Sequence, residues 1–116
     1  MSVIEKWRIE ELALVLKELL GSLHSGENRE WANVFEHFLH EAELLLLSDP
    51  LQTTACRQLV QNILCCFLEG DSFRRLKLLP GDSENHERQN RSFRRLQARL
   101  YHLLTELQSR FVEYVH

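Results

Sequence analysis

Residues 29–47 read REWANVFEHFLHEAELLLL, and this stretch decides the fold. An α-helix advances about 100° per residue, which puts Trp31, Val34, Phe35, Phe38, Leu39, Ala42, Leu45 and Leu46 on one face. Arg29, Glu30, Asn33, Glu36, His37, His40 and Glu41 share the other. The spacing predicts an amphipathic helix with one apolar and one polar side.

The pattern continues outward in both directions. Upstream, residues 6–23 align Ile9, Leu12, Val15, Leu16, Leu19, Leu20 and Leu23, with Lys6, Glu10, Glu11, Lys17 and Glu18 opposite. Gly21 and the run from Leu23 to Asn28 supply a stop and a turn, with Asn28 as an N-cap. A connection this short makes the two helices antiparallel. Downstream, Asp49 caps a third helix over 50–69 with Pro50 at its first position, where a missing N–H costs nothing. Its inward set is Cys56, Leu59, Val60, Ile63, Cys66 and Phe67; Cys65 falls off the stripe, and Gly70 is placed to end the helix.

From Asp71 to Leu79 no period dominates, and Pro80-Gly81-Asp82-Ser83-Glu84-Asn85 is turn chemistry, so 71–85 is expected as an irregular connection. The last helix, 86–114, carries Phe93, Leu96, Leu100, Leu103, Leu107, Phe111 and Tyr114 at steps of three and four. Such a seam packs along a whole bundle or along a second chain, as a homodimer. The expectation is therefore all-α: one domain over 1–116, an antiparallel bundle of four principal helices.

Composition agrees. A chain of 116 residues has room for one domain that buries roughly two thirds of its unfolded surface. Only four Gly and two Pro interrupt it. Three cysteines with an adjacent pair, Cys65-Cys66, suit neither a disulfide framework nor a C-x-x-C site, which points to a reducing compartment. Residues 1–11 already carry Glu5, Lys6, Arg8, Glu10 and Glu11, leaving no apolar export signal, and no apolar run approaches the ~18 residues of a membrane span. The cytoplasm is the expected location, with no membrane partner.

Chemistry has little foothold. His37 and His40 lie one turn apart between Glu36 and Glu41, yet the H-E-x-x-H and Glu-x-x-His patterns that bind metal on helices are absent. The cysteines lie in an apolar helix without a clear base, and no G-x-S-x-G, P-loop or G-x-G-x-x-G occurs. No catalytic residue, metal or cofactor is assigned, and a metal-dependent bundle enzyme is set aside.

Charge is more informative. Residues 1–69 hold 11 acidic and 5 basic side chains, residues 70–116 hold 6 and 9. Either the halves attract each other in the fold or they steer a charged partner. Arg88, Arg91, Arg95 and Arg99 fall within about 80° on the last helix, beside Tyr101. Ser72-Phe73-Arg74-Arg75-Leu76 recurs letter for letter at Ser92-Phe93-Arg94-Arg95-Leu96, so the positive half reads as one patch. A pI near 6.1 and the lack of a recognition helix argue against nucleic acid and favour carboxylates, internal or a partner's. The opposite surface is acidic, with Glu10, Glu11, Glu18, Glu30, Glu36, Glu41 and Glu43; it either solubilises the chain or pairs with a basic protein. The candidate partner-binding residues are Glu30, Glu36, His37, His40 and Glu41 on helix two and Arg91, Arg95 and Arg99 on helix four.

From Asn28 onward the chain resembles a family of short bacterial helical proteins of unassigned function, regarded as immunity-like because relatives occur beside secreted toxins. Asn28, Trp31 and Ala32 are similar to that family's N-x-x-W-A helix start. Ile63, Phe67, Gly70, Ser72 and Phe73 are similar to its segment ending in a glycine-rich turn, and Asn90, Phe93, Leu96, Leu100, Tyr101 and Leu107 to its last helix. The resemblance spans roughly 28–108. It departs at the turn, where Arg74-Arg75 stand in place of a second glycine and an Asn or Asp. It implies a toxin-neutralising immunity protein that binds a cognate toxin domain and blocks its active site or substrate access. The alternative is a non-catalytic dimeric adaptor joined through the 93–114 seam.

Overall fold

The computed structural model describes residues 4–25, 29–48, 51–68 and 84–114. These form four helices, α1 (Lys6–Ser25), α2 (Arg29–Leu47), α3 (Thr53–Leu68) and α4 (Glu84–Tyr114), with no strand among the described residues. Each helix packs on its neighbours in a ring: α1 on α2, α2 on α3, α3 on α4, and α4 back on α1. α2 and α4 thus lie across a diagonal, as do α1 and α3.

Ion pairs give the direction of the α1–α4 contact. Arg8, near the start of α1, meets Glu106 at 3.0 Å, while Glu18, further along α1, meets Arg99 at 3.8 Å. Rising numbers in α1 face falling numbers in α4, so the two run antiparallel. At 1.5 Å per residue the 31-residue α4 is about 46 Å long, and it accounts for most of the 52 Å long axis of the molecule. Among the described side chains of α4, Phe93 is the first that is fully buried.

α1 supplies the centre of the core. Ile9, Leu12, Val15, Leu16, Leu19 and Leu23 are all buried, as periodicity requires for a helix covered on two sides. On α2 the small residues Ala32 and Ala42 are buried with Phe35 and Phe38, which lets the two backbones approach. Phe35 and Phe38 meet edge to face, centroids 5.6 Å apart. α3 contributes Cys56, Leu59, Val60, Ile63 and Phe67; α4 contributes Phe93, Leu100, Leu103, Leu104, Leu107 and Phe111. The α4 seam is therefore packed inside one chain. Phe67 stacks at a tilt on Tyr101, centroids 5.3 Å apart, and ties the end of α3 to the middle of α4.

Several expectations change in detail. α1 does not stop at Gly21 but continues through it to Ser25, because one glycine weakens a helix without breaking it. α3 begins at Thr53 instead of residue 50, and Cys56 N–H donating to the Gln52 carbonyl at 3.0 Å marks its first turn. α4 begins at Glu84, so Glu84 and Asn85 are helical. The rest of the 71–85 connection, the caps Asn28 and Asp49-Pro50, and Gly70 lie outside the described residues. Val34 is 37% exposed, because it sits one helical step of about 100° from Phe35, at the edge of the stripe.

Arg8 is a departure of another kind: a charged side chain only 6% exposed. Its guanidinium bonds Glu106 at 3.0 Å, approaches Glu5 at 3.7 Å, and lies 4.4 Å from the centre of the Trp7 ring, whose N–H donates to Glu5. Removing Glu106 strips this charge of its best partner, whereas removing both ends takes the buried charge away as well. In urea titrations Glu106→Ala should cost about 1 kcal/mol, the partner being half exposed, and the Arg8→Met, Glu106→Ala double variant should recover most of it. A Cβ built on Gly21 meets nothing within 4 Å. Gly21→Ala should therefore stabilise the fold by about 0.5–1 kcal/mol, read as a Tm rise of about 2–4 °C.

Candidate functional site

The outer face of α2 carries five of the eight candidate residues. Glu30, Glu36, His37 and His40 are exposed and Glu41 is half-buried. α2 holds this face in place because its other side is locked on α1 by Ala32, Phe35, Phe38 and Ala42. His37 Nε2 lies 2.8 Å from Glu41 Oε1, an i,i+4 contact that becomes an ion pair when the imidazole is protonated. Glu30, Glu36 and Glu43 make no ion pair among the described residues. Their carboxylates are free to meet an outside charge.

The α4 candidates divide. Arg99 is taken up by the fold: it lies 4.0 Å from Glu11 and 3.8 Å from Glu18, two residues seven apart on one side of α1. Arg91 and Arg95, with Arg88 and Arg94, are exposed and form no ion pair among the described residues. Because α2 and α4 sit on a diagonal, the acidic face and the arginine row point to different sides and do not form one site. The attraction between the acidic and basic halves is thus partly internal, through Arg99 with Glu11 and Glu18, and partly left to the exposed faces.

The sequence reading missed an apolar feature beside the acidic face. Leu44 is 52% and Leu47 82% exposed, large fractions for leucine. Next to them the last turns of α2 and the first turns of α3 diverge into a groove of about 420 Å³. Leu44, Leu45, Ala55 and Leu59 form its apolar walls, and Glu41 is the one ionisable residue among the described residues that line it. The four leucines at 44–47 held the signal, since a one-sided stripe takes about half of four consecutive helical positions and must turn the others out. A second, smaller recess of about 260 Å³ lies between α3 and α4 at Phe67, Gln97, Ala98 and Tyr101.

Among the described residues no three His, Cys, Asp or Glu side chains come together as a metal site. No helix among them is long and apolar enough to cross a membrane. Burial pushes the Cys56 thiol above its ordinary pKa, which lowers its thiolate fraction, whereas Cys65 is exposed. Iodoacetamide at pH 8 should modify Cys65 first and leave Cys56 protected until denaturant is added, as read by mass spectrometry of timed digests.

Comparison with protein-family models, curated proteins and solved structures gives no match to this chain in any of the three.

Proposed function

We propose that this chain is a toxin-neutralising immunity protein that binds a cognate bacterial toxin domain through the outer face of α2 and blocks its active site or substrate access. The observation that carries this reading is the set of free carboxylates, Glu30, Glu36 and Glu43, held on the exposed side of a helix whose inner side is fully packed. A rigid acidic face suits the basic clefts by which nucleases and other polyanion-handling domains hold phosphates, and long-range attraction speeds such an encounter. His37 and His40 add donors at the centre of that face. The resemblance of residues 28–108 to immunity-like helical proteins supports the same reading. A dimeric adaptor joined along 93–114 would need apolar side chains that the bundle already buries, Leu100, Leu103, Leu107 and Phe111 among them.

Co-expression with the product of the adjacent gene provides the test. The two proteins should co-purify, and the chain should rescue cells from that product. Reversing charge at Glu30→Lys, Glu36→Lys and Glu43→Lys together should weaken the complex by about 100-fold or more and abolish rescue while the circular dichroism spectrum stays helical. Absence of both complex and rescue with a well-expressed pair rules the proposal out.

A further inference from the structure

We propose that the α2–α3 groove is the anchor point for a basic amphipathic helix of the protein partner, an inference that rests on the partner-binding reading above. Four observations combine. First, Leu44, Leu45, Ala55 and Leu59 give the groove apolar walls, and the small Ala55 leaves room that a longer side chain would fill. Second, Leu44 continues outward to Leu47 one turn on, so the apolar surface extends beyond the groove onto the exposed end of α2.

Third, the charge on its described lining has one sign. Glu41 is the one charged side chain among the described lining residues, and it also meets His37 Nε2 at 2.8 Å. The remaining lining residues, Ser48, Gln52, Gln58 and Asn62, are neutral, and two of them are already engaged: Gln58 donates to Asn62 at 3.0 Å. An acidic helix or a nucleic acid would be repelled here; lysines or arginines beside aliphatic anchors would be drawn in. Fourth, the walls are two helices. The opening runs from Glu41 and Asn62 at one end to Ser48 and Gln52 at the other, about two turns. A ridge of aliphatic side chains at i and i+4 on a third helix fits such a groove, and no sheet edge among the described residues offers a place for an extended strand.

The probe is a stapled peptide helix with leucines at three successive i, i+4 positions and lysines on both flanks, titrated into methyl-labelled full-length protein and followed by NMR. Saturable shifts should be confined to Leu44, Leu45, Ala55 and Leu59. Leu44→Gln, at a half-exposed site where the fold is not at risk, should weaken binding about 10-fold, and Glu41→Gln should weaken it and flatten its salt dependence. A peptide with glutamates for the lysines should bind at least about 10-fold more weakly. Equal binding of both peptides, or shifts centred instead on Trp7 and Leu14, overturns the proposal. So does a concentration-dependent dimer lost in Leu44→Gln, which would make a second copy of the chain the occupant. The two proposals fail separately: peptide binding without rescue removes the toxin and keeps the groove, whereas rescue undiminished in Leu44→Gln removes the groove from the toxin interface.

Discussion

The apolar stripe of α1 lies between α2 and α4, and the other features of the bundle follow from that placement. Six of its aliphatic side chains are fully withdrawn from water, and burying each contributes about 1.5–3 kcal/mol before the entropy of ordering is counted. No surface ion pair among the described residues competes with this: pairs as exposed as Arg99 with Glu11 and Glu18 are worth at most about 1 kcal/mol. Burial therefore sets which helices touch, and the ion pairs report how α1 and α4 are aligned along one another. Arg8 with Glu106 and Arg99 with Glu18 are compatible only with an antiparallel α1–α4 register.

With α1 enclosed, α2 has one packed side and one free side, and the free side is where unneutralised carboxylates collect. The same logic separates the arginines. Arg99 is drawn onto the glutamates of α1, whereas Arg88, Arg91, Arg94 and Arg95 are exposed and form no ion pair among the described residues. A net charge of −3 hides this division.

The helices were legible because their apolar spacing is regular over four or five turns, as in the run from Trp31 to Leu46 and in the seam from Phe93 to Phe111. What was not legible depended on partners remote in sequence. Leu104 lies outside an a/d seam, yet it is buried because α4 faces both α1 and α3 and needs a wider stripe. Arg8 falls on the apolar stripe of α1, with Leu12, Val15 and Leu19, but its partner Glu106 is 98 positions away and periodicity cannot supply it. Arg99 looked like part of an open row, and only the register with α1 shows it to be occupied. The eight candidate residues divided for the same reason: periodicity assigns each to the outside of its own helix, while the diagonal placement of α2 and α4 is a tertiary fact.

The leucines at 44–47 show why the acidic face ends in an apolar one. A helix on the rim of a four-helix ring has about half its circumference covered, so four consecutive leucines cannot all be buried by α1 and α3. Leu45 and Leu46 take the covered directions; Leu44 and Leu47 are left on the outside. A polar residue at either position would remove the exposed surface without disturbing the core, so the fold itself does not require leucine there. Moreover, α3 enters beside them with Ala55, too small to close the gap. Two apolar side chains the core does not use, an alanine that leaves space, and a glutamate at the edge are better explained together by a surface shaped for contact than by the packing of the bundle alone.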